Sequence, residues 1–389
     1  MTVASMNHGG STPLIEDRNV RVPEIFAPTK VLVYGTTMDY HGDGVPLPAL
    51  RRLASRVDDP NLAGPTGEGT IVGVVDTPMC AHPWLEGGYL AAPADFMAFD
   101  PEERNSTAIL QHMEGHSTFI AGLVLQQAPA AAVWVEHSLD ATGKASADTV
   151  ALAARTLASR GAHVLNLSLG SYDDTPDTAE TLRTMTRELL NEFPELVIVA
   201  SAGNKAPKDK SREFWPAAVS DERVVAVGSV SGDATANWAD WSNRGDWVDL
   251  AANGRKVLST YIDRTVRTPD RSTVEFEGWA RWSGTSFSAA IVSGAIAAEM
   301  TRGGAQSAVA AVRALKGGSR RTTADGVPVI ERRCWDTVIE NKKAQPRSGS
   351  RRRARHPSIG QRLSRMWTRG GSSLTRAAAR FSTSDRGQR

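Results

Sequence analysis

The chain of 389 residues has few cysteines and no long apolar run. Its two cysteines, Cys80 and Cys334, lie far apart in sequence, which excludes a disulfide framework and a cysteine-based zinc site, so both are expected to be free thiols. No stretch approaches the roughly 20 apolar residues that a membrane-spanning helix needs, and residues 1–26 lack the apolar core of a signal peptide. The composition therefore predicts a soluble, cytoplasmic protein.

The chain as a whole also lacks a large net charge, since the formal value is only +2, but its charges are unevenly distributed. Residues 341–389 contain 14 Lys or Arg and one acidic residue, a net +13, whereas the rest of the chain contains 31 basic and 42 acidic residues, a net −11. Four apolar residues of this tail stand at helical spacing between arginines: Ile359, Leu363, Met366 and Trp367. The pattern predicts either an anionic partner, such as a membrane, nucleic acid or an acidic protein surface, or a solvated, disordered tail.

Composition and periodicity divide the chain into four segments. Residues 1–65 are expected to be an N-terminal extension that is partly disordered or propeptide-like, and residues 66–320 form the main domain. Residues 321–340 are expected to pack on that domain, and residues 341–389 form the basic, disordered tail. The oligomeric state is left open by these patterns.

Short apolar runs alternate with amphipathic segments in the main domain. The predicted strands cover residues 70–75, 131–136, 162–167, 196–201 and 223–230. Four helices are predicted. The first begins at His116, and the others cover residues 147–161, 177–193 and 284–300. This alternation predicts an α/β fold of three layers, with a mostly parallel twisted sheet covered by helices on both faces. Ligands of such folds bind beyond the carboxyl ends of the strands.

Four polar residues stand at the ends of these predicted elements. Asp76 directly follows the first strand, and Asn204 follows the fourth. His116 and Ser286 begin helices, where the helix dipole favours a neutral imidazole that can accept a proton and favours negative charge near a serine. Taken singly, His116 is a polar residue at a helix start and Ser286 lies in an ordinary helix cap. Taken together with Asp76 they supply the nucleophile, base and carboxylate that serine catalysis needs.

The segments around these residues resemble the sequence blocks of the subtilisin-like serine proteases, the subtilases or peptidase family S8. The blocks are VVDTPM, GHSTFIAG, NLSLG, SAGN and GTSFSAA, and the resemblance covers about residues 66–320. It implies that Ser286 attacks the scissile carbonyl, that His116 transfers its proton, and that Asp76 orients the imidazole. It also implies that the Asn204 side chain and the Ser286 backbone N–H donate hydrogen bonds to the oxyanion.

The resemblance further implies two substrate-binding segments. Their residues are Ser168, Leu169 and Gly170 in the first, and Ser201, Ala202 and Gly203 in the second. They would form the walls of the pocket for the P1 side chain and pair with an extended peptide as an added strand. Small residues at these positions predict room for a bulky apolar P1 side chain. Ser117 stands where the family usually has glycine, and its bulk beside the base is expected to tilt the imidazole and slow catalysis.

No cofactor is expected to be required for this chemistry, and no metal ligands are assigned. HMEGH, residues 112–116, differs from the zinc-protease motif because Glu does not directly follow the first His. Calcium is often bound in the family, but the chain has no acidic loop with a recognisable ligand pattern, so structural calcium is only weakly supported. The sequence thus predicts a serine endopeptidase acting on peptides or proteins. The alternatives are an inactive relative that binds peptides, or an effector protease brought to a membrane or nucleic acid by its basic tail.

Overall fold

A computed structural model provides the structure of the chain. It describes residues 67–85, 87–91, 96–97, 109–172, 176–204, 212–232, 235–267, 273–276, 278–302, 305 and 307–331. All of them belong to the larger of the two compact units into which the chain divides. The N-terminal extension 1–65, the basic tail 341–389 and Cys334 lie outside the described residues, so the predictions made for them stay predictions.

Eight parallel strands form the main sheet. The strands of the described part are β1 (Ile71–Asp76), β2 (Met79–Cys80), β3 (Tyr89–Ala91), β4 (Phe96–Met97), β5 (Leu110–Gln111), β6 (Ala132–His137), β7 (Val164–Leu167), β8 (Val197–Ser201), β9 (Val224–Val230), β10 (Leu250–Asn253), β11 (Val257–Thr260), β12 (Thr265–Arg267), β13 (Thr273–Glu275), β14 (Trp279–Trp282) and β15 (Val329–Ile330). The order in the sheet is β15-β10-β9-β8-β7-β1-β6-β3, and every neighbouring pair is parallel. Strands β7, β8 and β9 are buried along their whole length, which explains their continuous apolar sequences.

The other strands form small sheets outside the main one. Strands β11 and β14 pair antiparallel, as do β12 and β13, whereas β5 lies parallel to β12 and β2 lies parallel to β4. Strand β14 ends at Trp282, shortly before the helix that contains Ser286. It therefore directly precedes the segment that contains Ser286, the expected nucleophile.

Five α-helices occur in the described part of the chain. They are α1 (His116–Gln127), α2 (Ala147–Ser159), α3 (Pro176–Glu192), α4 (Thr285–Arg302) and α5 (Ala308–Gly318), with 3-10 helices at Pro83–Leu85 and His112–Gly115. Serine side chains cap the N-termini of α2 and α5. Ser146 Oγ accepts the Thr149 N–H at 3.1 Å, and Ser307 Oγ accepts the Ala310 N–H at 3.2 Å.

The helices lie in two groups that make the fold three-layered. Helices α1 and α4 pack against each other and against the sheet, and α1 is buried at every residue. Apolar and small residues occur around the whole middle of both helices, as expected where a helix is enclosed on all sides. Helices α2 and α3 are amphipathic and form the second pair, with α2 packed on β1, β6 and β7. The predicted fold, a parallel sheet covered by helices on both faces, is confirmed.

All predicted strands and helices of the main domain are present, with ends within two residues of the prediction. Strands β3, β10 and β15 of the main sheet were not predicted: β3 and β15 have only three and two residues, and β10, with the sequence Leu-Ala-Ala-Asn, lacks the β-branched residues that mark the predicted strands. Helix α5 was also missed, although the Ser307 cap and buried Ala308, Ala311 and Val312 follow the helical spacing. No helix within the described ranges combines the length and the apolar content needed to cross a bilayer.

Candidate active site

Asp76 and His116 form a buried pair at the carboxyl end of β1. Asp76 is the last residue of β1 and His116 the first of α1, and their side chains are 0% and 3% exposed. His116 Nδ1 lies 2.8 Å from both Asp76 Oδ1 and Oδ2. Because an ionised carboxylate can only accept, Nδ1 carries the hydrogen and donates it, which leaves the lone pair on Nε2. In this tautomer the imidazole can accept a proton at Nε2.

Ser286 lies at the start of α4, next to this imidazole. The following residue, Phe287, packs on the His116 ring with the two ring centroids 5.5 Å apart. The Ser286 hydroxyl donates to the Ser168 carbonyl oxygen at 3.2 Å, and Ser168 Oγ donates in return to the Ser286 carbonyl oxygen at 3.0 Å. Among the described residues no hydrogen bond joins Ser286 to His116. The structure thus places the residue that follows Ser286 against the imidazole, and the Ser286 hydroxyl is turned to a backbone acceptor.

A buried polar chain connects β7 to α4 behind Ser286. The single hydrogen of Ser168 Oγ is shared between the Ser286 carbonyl oxygen and Asn166 Oδ1, which lies 2.8 Å away, and Asn166 Nδ2 donates to Ser293 Oγ at 3.1 Å. Ser293 in turn donates to the Ala289 carbonyl oxygen at 2.9 Å. The sequence analysis did not single out Asn166, although a polar residue inside an apolar strand, two residues from Ser168 and therefore on the same face, was an available signal. These bonds fix the register between β7 and α4, the helix that contains Ser286.

Asn204 caps the same helix from another segment of the chain. Its Oδ1 accepts both the backbone N–H and the hydroxyl of Thr285, each at 3.0 Å. Thr285 Oγ1 also accepts the Gly203 N–H at 3.1 Å. Both bonds end on the amide oxygen, so Nδ2 is the donor end of this side chain. Asn204 therefore has a defined orientation at the helix N-terminus.

Ser117 connects the histidine helix to the turn that follows Asp76. Its hydroxyl donates to the Pro78 carbonyl oxygen at 2.8 Å, and its backbone N–H donates to Thr77 Oγ1 at 3.2 Å. Thr77 itself donates to Asp76 Oδ1 through its N–H at 2.7 Å and through its hydroxyl at 3.2 Å. The side chain that was expected to tilt the imidazole points instead to the Pro78 carbonyl, and His116 keeps its contact with both Asp76 oxygens. We therefore find a linked His116–Asp76 pair rather than a disturbed one.

Aromatic rings enclose the imidazole. The Trp282 ring meets the His116 ring edge-on, at 5.4 Å between centroids and 86° between planes. Phe119 packs on both Trp282 and Phe287, at 5.7 and 4.5 Å. These apolar neighbours limit the positions that the imidazole can take and exclude water from its side.

The two segments expected to bind substrate follow neighbouring strands. Ser168, Leu169 and Gly170 follow β7, whereas Ser201 ends β8 and is followed by Ala202 and Gly203. All six residues are buried. Just beyond the first segment, Ser171 and Trp215 exchange two backbone hydrogen bonds of 2.8 Å. The structure thus brings both segments to the end of the sheet at which Asp76 and Ser286 lie.

The subtilase family profile matches residues 67–324, a range that includes every residue of this site. The chain belongs to the subtilase family.

Curated relatives and a solved structure agree with this assignment. Subtilisin Savinase of Lederbergia lenta is 30% identical over 254 residues, which are 62% of this chain and 81% of that protein. An alkaline protease of Shouchella clausii is also 30% identical over 254 residues, which are 62% of this chain and 57% of that protein. The crystal structure of a cold adapted subtilisin-like serine proteinase superposes with a TM-score of 0.52 at 20% identity, covering 69% of this chain and 88% of its own. At that identity the structural similarity supports the subtilase fold.

Cys80 lies close to the site of this subtilase but has the properties of an unreactive thiol. Its side chain is 1% exposed, and its Sγ donates to the Glu114 carbonyl oxygen at 3.7 Å. Burial raises the pKa of the Cys80 thiol to about 12, so it stays protonated at neutral pH. Since the thiolate is the nucleophilic form, Cys80 is not a competitor of Ser286.

The described residues of the subtilase contain no group of three His, Cys, Asp or Glu side chains that could hold a metal ion. His112 and Glu114 lie in the 3-10 helix that ends at Gly115, immediately before His116 begins α1. The HMEGH segment is thus divided between two elements. Structural calcium stays a weakly supported prediction.

His82 connects the segment after β2 to the segment before β14. Its Nε2 lies 2.7 Å from the Gly278 carbonyl oxygen, and its Nδ1 accepts the Trp84 N–H at 3.1 Å. Since the carbonyl can only accept and the backbone N–H can only donate, these partners require a neutral ring with its hydrogen on Nε2. The ring also packs edge-on against Trp279, with 5.1 Å between centroids. Burial lowers the pKa of His82 to about 4.

We expect the free energy of unfolding of this subtilase to fall as the pH drops from about 6.5 to about 4. The unfolded chain takes up a proton at His82 near its ordinary pKa of about 6.5, whereas the folded chain does so only near 4, so acid in this window favours the unfolded state. The loss due to His82 is at most about 3 kcal/mol. Burial also lowers the pKa of His112 to about 4, which acts in the same direction.

Urea unfolding between about pH 4 and pH 7 measures this effect. The Ser286→Ala chain is the suitable material, because the expected nucleophile then cannot digest unfolded protein. His82→Phe should flatten the pH dependence and lower stability at pH 7, since it leaves the Gly278 carbonyl and the Trp84 N–H without their partners. An unchanged slope in His82→Phe would assign the acid sensitivity to other groups.

Proposed function

We propose that the chain is a serine endopeptidase that hydrolyses peptide bonds through an acyl-enzyme. The observation that carries the proposal is the His116–Asp76 pair, whose imidazole packs on Phe287, the residue that follows Ser286 at the start of α4. Family membership and the names of the relatives, a subtilisin and an alkaline protease, support the same class of reaction. Ser286 is the nucleophile, His116 the base and Asp76 the carboxylate that orients and stabilises it.

The first step forms the bond between Ser286 and the substrate. The Ser286 hydroxyl turns from the Ser168 carbonyl to His116 Nε2, which takes its proton while Oγ bonds to the scissile carbonyl carbon. The electron pair of the carbonyl double bond moves to oxygen and makes an oxyanion. The imidazolium that results is stabilised by Asp76, to which its Nδ1–H already donates.

The oxyanion is stabilised at the N-terminus of α4. Asn204 Nδ2 and the Ser286 backbone N–H are its donors, and the helix dipole adds a favourable potential. Thr285 holds Asn204 Oδ1 through two hydrogen bonds, so this amide needs no reorientation during the reaction. Donors fixed in advance of the charge are the effective ones.

The remaining steps need only water. The tetrahedral intermediate collapses, its carbon–nitrogen bond breaks, and the leaving amine takes the proton from His116 Nε2. His116 then removes a proton from a water molecule, whose oxygen attacks the acyl ester. Collapse of the second intermediate returns the proton to Ser286 Oγ and releases the carboxylic acid. We propose that residues 168–170 and 201–203 hold the peptide as an added strand during these steps.

Labelling with a fluorophosphonate probe tests the proposal. The purified full chain should be labelled, and the Ser286→Ala chain should not, because only an activated serine reacts with the probe. Ser288→Ala is the matched control: Ser288 lies in the same helix and donates to the Ala252 carbonyl oxygen at 3.0 Å, so its replacement should leave labelling intact. Absence of labelling in well-folded protein would contradict the proposal.

That result would instead favour the first alternative, an inactive relative that binds peptides in the same cleft. The second alternative, an effector protease targeted by residues 341–389, rests on the +13 charge of that tail. Binding to anionic vesicles or DNA that weakens with salt and disappears on truncation at Asn341 would support it, whereas binding unchanged by truncation would exclude it.

The proposal also includes a cytoplasmic location and the lack of a required cofactor. Cell fractionation tests the location, and measurement of activity after chelation tests the lack of a cofactor.

A further inference from the structure

One phenylalanine side chain contacts both segments that we propose to hold the substrate. A Cβ atom added at Gly170 would lie 2.5 Å from Phe214 Cε1 and 2.8 Å from its Cζ. A Cβ atom added at Gly203 would lie 3.1 Å from Phe214 Cγ, and the φ of +93° at Gly203 disfavours any other residue there. The Phe214 ring is therefore next to both glycines, whose lack of a side chain also makes room for the Trp215 carbonyl oxygen, 2.3 Å from a Cβ added at Gly170, and for the Tyr172 hydroxyl, 2.8 Å from a Cβ added at Gly203.

The surrounding structure holds the Phe214 ring in this place. The side chain is 1% exposed, and its ring packs on Tyr172 at 4.7 Å between centroids. The Tyr172 hydroxyl accepts from Asn243 Nδ2 at 2.9 Å, and the Asn243 backbone N–H donates to the Gly203 carbonyl oxygen at 2.9 Å.

The backbone on either side of the ring is also restrained. The next residue, Trp215, is paired with Ser171 through two backbone hydrogen bonds of 2.8 Å. The Arg212 guanidinium lies 5.0 Å above the Tyr172 ring. Because the ring is enclosed by packed side chains and its backbone is paired, moving it aside for a ligand would break several contacts at once.

We propose that Phe214 is the specificity-determining residue of this protease, and that it restricts the P1 side chain to small residues such as glycine, alanine or serine. The inference rests on the proposed function, because it takes residues 168–170 and 201–203 as the walls of the P1 pocket. A phenylalanine ring between those walls leaves no volume for a second large side chain, since protein interiors are already close-packed. The substrates of this chain are therefore polypeptides cut after small residues.

This inference reverses the expectation drawn from the sequence. Small residues in both segments predicted room for a bulky apolar P1 side chain. The room exists, but Phe214 fills it. Nothing in the local sequence of either segment indicates this, because Phe214 comes from a different part of the chain.

Cleavage of a peptide series that differs only at P1 tests the proposal. With the full wild-type chain, kcat/KM for P1 alanine should exceed that for P1 phenylalanine by about tenfold or more. Phe214→Ala should raise kcat/KM for P1 phenylalanine by about ten- to a hundredfold, because the substrate ring then enters the space that the side chain has left. Phe276→Ala is the matched control, since Phe276 is also 1% exposed but packs on Tyr261, and it should leave the P1 preference unchanged.

The outcomes separate this inference from the proposed function. If the probe labels Ser286 but the wild-type chain cleaves P1 phenylalanine better than P1 alanine, the role of Phe214 is overturned. The assignment as a protease would then still stand. An unchanged P1 preference in a folded Phe214→Ala chain, or in the milder Phe214→Val chain if the first does not fold, would also overturn it. Failure of folded wild-type protein to label would overturn both.

Discussion

Replacing Ser286 by alanine should lower kcat by on the order of 10⁶, the magnitude known for a subtilisin. The substitution removes the atom that bonds to the substrate, while Ser168, which exchanges hydrogen bonds with Ser286, keeps its bond to the Ser286 carbonyl oxygen. The fold should therefore persist, and rate measurements on a peptide with P1 alanine give the loss. Ser288→Ala, in the same helix, should change kcat by less than about threefold, because its hydroxyl donates to the Ala252 carbonyl oxygen and not to a residue proposed for catalysis.

Replacing the proposed base, the proposed nucleophile or both should lower kcat by about the same amount. His116→Ala is expected to cost about as much as Ser286→Ala, and the double variant little more, since either loss alone already abolishes proton transfer from the hydroxyl. Asp76→Asn should cost about 10⁴, because an amide can impose the wrong tautomer on His116 without removing the ring. Additive losses in the double variant, or single variants with wild-type rates, would contradict the assignment of these three residues.

Removing the Asn204 donor should lower kcat by about 10² to 10³ with a much smaller change in KM. Asn204→Asp is the sharper substitution, because its carboxylate can still accept the Thr285 N–H and hydroxyl bonds that Oδ1 now accepts. It thus retains the cap of α4 but replaces the Nδ2 donor by an acceptor. The loss should fall on kcat because the oxyanion exists only after the attack of Ser286.

Two further variants distinguish hydrogen-bond donation by the Asn204 amide from the anchoring of that amide by Thr285. Thr285→Val keeps the shape of the side chain but removes its hydroxyl bonds to Asn204 and Gly203, so it should show a smaller loss of kcat than Asn204→Asp. Asn237→Asp is the matched control, since that amide donates to Thr235 Oγ1 at 2.7 Å on the exposed surface and should leave kcat unchanged. A loss confined to KM in Asn204→Asp would show that Asn204 binds substrate rather than the transition state.

Most elements marked by a local pattern in the sequence were predicted correctly. Strand β7 is an uninterrupted apolar run of four buried residues, and α2 begins at a serine cap and repeats buried residues at helical spacing. Such patterns depend on neighbours along the chain. Where they were absent the prediction failed, as for β10 and β15, which are strands because of their partners rather than their composition.

For the candidate site, the sequence predicted its residues but not their contacts. It placed Asp76 at a strand end and His116 and Ser286 at helix starts, and the parallel topology brings these ends together. It did not predict that Ser117 donates to the Pro78 carbonyl, or that Asn166 connects Ser168 to Ser293. Each of these bonds joins residues on different elements, so no spacing along the chain reveals it.

By itself, the sequence determined the three-layer α/β fold, the subtilase family and the order of the three residues proposed for catalysis, because strand and helix patterns and the blocks around those residues are local. Only the tertiary structure decided what lies between the two proposed substrate-binding segments. Gly170 and Gly203 leave a space beside the sheet, and the long connection that follows β8 returns Phe214 into it. A space created by one part of the chain and filled by another is a property of packing, which local residue patterns do not encode.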